Sequence, residues 1–210
     1  MCHNVFKGDS YLKFNIITAD CPWTYSNKKN NNPKMGGITY DVMSNEDICK
    51  IPVGDLADKD CLLFMWATMP KLPEALEVMK AWGFKYTTCP IVWVKLNPKG
   101  SITKDGKDIT LVRGVYSGMG HYTNGNAEIL LMGKKGTPKR FEKNVKQIQL
   151  HARGKHSEKP NEVYDEIVRF AGDLPRVELF ARKGRVGWTA LGGDISGNDI
   201  TEDIKRIIKI

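Results

Sequence analysis

A chain of 210 residues, 41% hydrophobic and 27% charged, carries enough apolar mass for one well-cored domain and too little for two, and its balance excludes a disordered tail or a collagen-like repeat. It has no uninterrupted apolar stretch long enough to cross a bilayer and no charged-then-apolar leader, so a cytoplasmic protein without membrane contact is expected; its five cysteines include no Cys-x-x-Cys pair, which argues against a disulfide framework and a bound metal. The formal charge of +8 fits a polyanionic partner through counterion release, and a solvated basic surface fits it equally well.

Taken in chain order, Phe14 to Thr18 is an apolar, partly β-branched run that predicts a buried strand. It leads into Asp20-Cys21-Pro22-Trp23, and the polar run Asn27 to Asn32, with Lys28 and Lys29 inside it, predicts a loop. Ser44 is placed to cap a helix over Asn45 to Lys50. A second strand is expected at Cys61 to Trp66, then a helix carrying Leu72, Leu76 and Met79 on one side around Pro73, then a strand at Pro90 to Val94. Strands are expected again at Ile129 to Met132 and at Val177 to Phe180, with a helix between them behind Pro160 that aligns Val163, Ile167 and Phe170. A last helix begins near Thr201, with Ile204, Ile207 and Ile208 along one side.

Strands alternating with helices imply a single α/β domain over residues 1–210, its sheet covered by helices on both faces. No element is assigned to Thr24 to Met43 or Leu96 to Asn126, both rich in Gly, Asn and Lys. Long loops past strand ends are where α/β proteins bind ligands.

Asp20-Cys21-Pro22-Trp23 puts a carboxylate, a Pro-fixed turn and a large aromatic at the mouth of the sheet. These groups suit one chemical problem. The exocyclic N6 amine of adenine is a poor nucleophile because its lone pair is delocalised into the ring. A carboxylate (Asp20) and a backbone carbonyl (Cys21) accepting its two N–H bonds would localise that pair, while an aromatic (Trp23) stacked on the base holds it in plane. The base must first leave its stack or come from a single strand. The same four residues also read as a strand-ending Asp and a core Trp in an ordinary turn.

The remaining segments decide between these readings. Tyr40 to Ser44, Leu63 to Thr68, Trp82-Gly83-Phe84, Ile91 to Lys95, Gly120-His121-Tyr122 with Asn124, Glu128 to Gly136, Arg153 with Ser157, Lys159-Pro160-Asn161-Glu162, and Glu178 to Arg182 with Trp188 follow the tetrad in order. Together with Ala19 to Trp23 this collinear set resembles the MT-A seventy family of S-adenosylmethionine-dependent N6-adenine methyltransferases. The resemblance implies a Rossmann-like methyltransferase fold of permuted order, with the catalytic tetrad ahead of the cofactor segment.

It also implies roles. Asp20 lies where cofactor and target amine meet, Lys159 contacts the methionine part of S-adenosylmethionine, and Glu178, Leu179 and Arg182 line its adenosine part. Position agrees for two of these. Lys159 precedes a helix start, where free N–H groups and the macrodipole favour an anion, and Glu178 lies at the end of a strand, where a carboxylate can accept from ribose hydroxyls.

Three departures stand out. Cys21 replaces the tetrad's second proline, which keeps the carbonyl and loses a rigid ring. Gly193 replaces the family's ribose-side Asn, leaving Asp194 as the residue placed to reach the same hydroxyls. The acidic residue that larger members carry upstream of the tetrad has no match within Met1 to Ser10.

For the substrate, Lys134, Lys135, Lys139, Arg140, Lys143, Lys146, Arg153 and Lys155 read as one phosphate-contacting face, with Lys28 and Lys29 adding to it. His121, Tyr122 and Asn124 match a family loop near the active site, where Tyr122 stacks on a nucleobase or packs within the loop. A compact chain without zinc fingers resembles the stand-alone microbial enzymes, which favours DNA over RNA by analogy. Some family members work in pairs, so a homodimer or heterodimer is open, and a non-catalytic nucleic-acid-binding subunit is the rival reading.

Overall fold

The protein is described here by a computed structural model covering residues 12–25, 41–99, 101–105, 108–112, 114–118, 122–154 and 158–209. Lys28, Lys29, His121, Lys155 and Ser157 lie outside the described residues.

The first strand, β1 (Phe14–Ala19), lies inside the sheet, and a helix α1 (Asn45–Lys50) and the central strand β2 (Ala57–Ala67) follow. Ser44 caps α1 as its sequence predicts, its hydroxyl accepting from the Asp47 N–H at 3.1 Å. Helix α2 (Leu72–Ala81) ends in a turn where Gly83 adopts φ 83°, a left-handed conformation that a residue with a Cβ resists. The Trp82 indole then donates to the Ile48 carbonyl at 2.9 Å and ties α2 to α1.

Strand β3 (Lys85–Leu96) leads into a two-stranded hairpin of β4 (Ser101–Asp105) and β5 (Asp108–Val112). The chain returns through β6 (Ala127–Lys135) and β7 (Ile148–Ala152), then α3 (Asn161–Ala171) and β8 (Arg176–Leu179). It finishes with β9 (Thr189–Leu191), the short α4 (Gly193–Ser196) and α5 (Ile200–Ile208). Asp199 caps α5, its side chain accepting from the Thr201 N–H at 2.7 Å.

The seven strands of the main sheet lie in the order β7-β3-β6-β2-β1-β8-β9. Strand β6 runs antiparallel to both neighbours, and every other pair is parallel. This mixed, two-sided sheet is the Rossmann-like arrangement expected of the chain.

The continuous apolar runs follow from burial on both faces. Cys61, Leu63, Met65 and Ala67 of β2 face one cluster with Ile48, Val78, Met79 and Ile204 from α1, α2 and α5. Leu62, Phe64 and Trp66 face the other, with Val163, Ile167 and Ala171 from α3. Each buried Leu, Ile or Phe stabilises the fold by about 1.5–3 kcal/mol, so these faces, together with the parallel ladder, set the register.

Four strands and the short α4 escaped the sequence reading. Strand β7 is a half-exposed edge strand with no apolar run, and β9 is too short to show a period. The β4/β5 hairpin fell inside the unassigned stretch, although Asp105-Gly106 between alternating residues is a hairpin signal. Among the described residues no helix is long and apolar enough to cross a membrane. Nor does any group of three or more His, Cys, Asp or Glu among them stand ready to hold a metal.

Candidate active site

The parallel strands β1, β2 and β8 end on one side of the sheet, and antiparallel β6 begins there. That edge brings together residues far apart in sequence. Asp20 leaves β1, Thr68 leaves β2, Glu128 enters β6, and Lys159 arrives on the extended residues before α3. A cleft between them is lined by Asp20, Cys21, Trp23, Tyr25, Trp66 and Lys159, with Ala67, Thr68 and Glu128 completing it.

The Lys159 ammonium lies 2.5 Å from Asp20 Oδ2 and 3.3 Å from Glu128 Oε2. Glu128 Oε1 also receives the Lys95 ammonium. The result is an alternating chain of charges, Asp20, Lys159, Glu128 and Lys95, at 27%, 7%, 12% and 21% side-chain exposure. Charges this far from water persist only in such company. The Lys159 ammonium stands 5.6 Å from the centre of the Trp66 ring, which itself meets Trp93 edge-on at 6.2 Å.

Burial opposes the charge on Lys159, but Asp20 and Glu128 outweigh it and hold the ammonium above its ordinary range. Burial likewise works against the Glu128 carboxylate, and Lys159 and Lys95 overcome it and keep its pKa below the usual value. Asp20 goes the other way. Burial raises its pKa, Lys159 pulls it back, and Glu128 pushes it up again, leaving it above 3.8. Asp20 is thus a carboxylate of increased basicity at the mouth of the cleft.

The tetrad turn is fixed by its own backbone. The Trp23 N–H donates to the Cys21 carbonyl at 2.9 Å and the Met43 N–H to the Pro22 carbonyl at 2.9 Å. Among the described residues one lone pair of the Cys21 carbonyl therefore stays available. The Cys21 side chain is buried among core residues, and burial, then the charge of Asp20, pushes its thiol well above the usual value. Trp23 lines the cleft yet is only 5% exposed and belongs to the core. Among the described residues, the indole N–H of Trp23 and that of Trp66 are buried without a hydrogen-bond partner.

Glu178 is buried beside α3. The Tyr164 hydroxyl donates to it at 2.6 Å and Arg185 Nε stands 3.3 Å away. Arg185 also lies 3.6 Å over the Tyr164 ring and donates to Asn161. Leu179 is fully buried on the other face, and Phe180 after it takes a left-handed φ of 57°, uncommon for a residue with a bulky side chain. Arg182 lies close enough to Asp20 to favour its ionised form. Asp194 is exposed in the first turn of α4, beyond β9 at the same edge of the sheet. A Cβ at Gly192 would lie 2.6 Å from the Ala181 carbonyl oxygen, so the two segments approach through glycine.

The basic residues do not form one face, which corrects the sequence reading. Arg153 stays at the cleft edge, its N–H bonded to the Leu96 carbonyl at 3.1 Å and its guanidinium 4.1 Å over the Tyr116 ring. Lys139 and Arg140 follow the far end of β6, where Lys135 pairs with Cys61. Phe141 beside them is bonded to the Phe170 carbonyl at the C-terminal end of α3. Antiparallel β6 carries the chain away from the cleft, so Lys139 and Arg140 sit at the opposite end of the sheet. Tyr122 and Asn124 are exposed, and their segment is tied to the cleft end by the Gly118–Gly125 bridge and the Tyr116 N–H on the Lys95 carbonyl at 2.7 Å.

Sequence reasoning passed over Tyr25, Trp66, Thr68, Lys95 and Glu128 as site residues. A signal existed for one pair: Lys95 closes one apolar run and Glu128 opens another, each a single charge at a strand's end.

Residues 14–194 match the MT-A70 family. The chain is 33% identical to the Type II methyltransferase M.MunI of a Mycoplasma species, over 90% of this chain and 80% of that protein. It is 28% identical to a putative N(6)-adenosine-methyltransferase MT-A70-like protein of Medicago truncatula and 27% identical to the human N(6)-adenosine-methyltransferase catalytic subunit METTL3. Those alignments cover 94% and 88% of this chain and 29% of each relative, so the chain spans under a third of their length. The family match over residues 14–194 takes in the cleft and the strands that frame it, and the chain belongs to the MT-A70 family of methyltransferases.

Proposed function

We propose that the chain transfers a methyl group from S-adenosylmethionine to the N6 amine of adenine in DNA. The observation that carries this reading is the Asp20–Lys159 pair in a cleft that also holds Glu128 and the aromatic rings of Trp23, Tyr25 and Trp66.

The donor set suits a zwitterionic sulfonium amino acid. Lys159 is an ammonium for a carboxylate, Asp20 and Glu128 are carboxylates for a cation, and the indole N–H groups of Trp23 and Trp66, without a partner among the described residues, are donors that a polar ligand can satisfy. Bound there, S-adenosylmethionine supplies an electrophilic methyl group. Glu178 would hold ribose hydroxyls with Leu179 and Arg182 beside it, and Asp194 would reach the same sugar from the rim.

The chain's own part is to prepare the amine. Asp20 and the free lone pair of the Cys21 carbonyl accept the two N6–H bonds, which localises the nitrogen lone pair and aims it. As positive charge develops on that nitrogen the Asp20 carboxylate stabilises it, and its raised pKa suits it to take the proton the amine releases. To do so Asp20 must loosen its hold on Lys159, and Glu128 already stands 3.3 Å from that ammonium to receive it. Arg153, Tyr122 and Asn124 at the cleft edge would contact the polynucleotide, with Lys28, Lys29 and His121 assigned to the same task from the sequence.

The choice of DNA rests on the alignment along most of a Type II methyltransferase, against less than a third of the longer adenosine methyltransferases. The test is incubation with methyl-labelled S-adenosylmethionine and separate pools of single-stranded DNA, duplex DNA and RNA, followed by nucleoside mass spectrometry. Labelled N6-methyladenine in a DNA pool supports the proposal, and label confined to RNA reassigns the substrate. No transfer together with no cofactor binding supports the non-catalytic subunit instead.

A further inference from the structure

Glu178 lies near the end of β8, and its partner in register on β1 is Thr18, two residues before Asp20. The two carboxylates therefore stand at the same end of adjacent parallel strands. The Glu178 side chain is 12% exposed, and each of its oxygens has a donor: the Tyr164 hydroxyl donates to Oε1 at 2.6 Å, and Arg185 Nε stands 3.3 Å from Oε2. A carboxylate has about four acceptor sites, so among the described residues both oxygens keep capacity for a further donor.

The two donors are themselves braced. Tyr164 is buried, meets Trp188 edge-on at 5.4 Å and carries the Arg185 guanidinium 3.6 Å from its ring centre. Burial, then Glu178 and then Asp20 hold the Tyr164 hydroxyl well above the usual phenol range, so it stays a donor. Arg185 also donates to Asn161, the first residue of α3. Lys159, the partner of Asp20, lies just before that helix, and Tyr164 is in its first turn. The opening of α3 thus reaches both carboxylates.

We propose that Tyr164 and Arg185 are positioning residues for the cofactor's ribose, fixing the Glu178 carboxylate in the rotamer that accepts the sugar's two hydroxyls. The inference rests on the reading of Glu178 as the ribose-binding residue. A glutamate held at both oxygens has no side-chain freedom left to lose when the sugar arrives, and a glutamate released by either donor must be ordered at the moment of binding. Tyr164 and Arg185 act on affinity through Glu178 and touch no reacting atom.

The experiment measures the Kd of S-adenosylhomocysteine and of its 2′,3′-dideoxyribose analogue for the wild-type chain, Tyr164→Phe and Arg185→Gln. Calorimetry gives the tighter constants, competition against S-adenosylhomocysteine gives the weaker ones, and a thermal melt reports folding. The wild type should prefer S-adenosylhomocysteine by at least about tenfold, as loss of charge-assisted hydrogen bonds requires. Each variant should weaken S-adenosylhomocysteine by roughly 3- to 10-fold, the cost of ordering one flexible side chain, and leave the dideoxy analogue within about 1.5-fold of wild type. An equal loss on both ligands would make the residue a support of the fold and overturn its role, as would an unchanged Kd for S-adenosylhomocysteine. A wild type that binds both ligands equally overturns the ribose reading of Glu178, and one that binds neither overturns the cofactor reading of the cleft; each takes the proposal with it.

Discussion

Replacing Glu128 by Gln tests the buried chain of charges at its centre. The substitution keeps the shape and one hydrogen-bonding oxygen but removes the charge shared by Lys159 and Lys95. Breaking a fully buried ion pair costs about 3–5 kcal/mol. Here the partners are 7% and 21% exposed and the amide still accepts a bond, so a loss of about 2–3 kcal/mol is expected. At about 2–4 °C per kcal/mol for a chain of this size, the melting temperature should fall by about 4–12 °C.

Turnover should fall as well, because Lys159 is left with Asp20 as its sole carboxylate of the pair. Prising a charge-assisted bond from Asp20 when a neutral amide replaces the second carboxylate is worth about 1.5–3 kcal/mol, or roughly 10- to 150-fold in kcat. The pH profile carries a separate signature. On the proposed mechanism the rate should fall as pH drops through the Asp20 pKa, which lies above 3.8, and Glu128 is one of the charges that raise it. In the Gln variant that acid limb should therefore move to lower pH. The assays are a thermal melt and single-turnover transfer of labelled methyl across pH. Turnover within twofold of wild type, with an unmoved acid limb, would refute the reasoning.

Asp20→Ala should lower methyl transfer by at least about a hundredfold, as loss of a positioned acceptor at the reacting atom does. Circular dichroism should show the fold retained, because Glu128 keeps a carboxylate beside Lys159; near-normal turnover would remove Asp20 from the mechanism. Trp23→Ala should cost about 3–5 kcal/mol of stability by emptying a core site, read as a lower denaturant midpoint. Cys21→Pro should leave activity within a few-fold and stabilise by about 0.4–1 kcal/mol if the turn's geometry accepts the ring; a collapse of activity would show a pocket adapted to cysteine. Lys159 contributes stability that is full below its unfolded pKa near 10.5 and is lost as pH rises through its higher folded value. The melting-temperature gap between wild type and Lys159→Met should therefore be widest at neutral pH and narrow in strong alkali.

The sequence by itself determined the long strands and helices, because their burial is written as local period. Cys61 to Trp66 is apolar throughout since β2 faces a core on each side, and Ser44 and Gly83 mark helix ends through their own backbone chemistry. It also determined the family, through segments whose order survives along the chain. Edge strand β7 and short β9 left little trace, since half-exposed or three-residue strands impose no apolar run.

Only the tertiary structure decided the site's electrostatics and the fate of the basic residues. Asp20 and Lys159 are 139 positions apart, and no local pattern says that they share a hydrogen bond or that Glu128 completes the set. The direction of β6 sent Lys139 and Arg140 to the far end of the sheet while leaving Arg153 at the cleft. The same packing covered Trp23 and left Tyr25 only partly buried. Pairing of distant charges, strand direction and residual exposure depend on where the whole chain closes on itself, which no window of sequence contains.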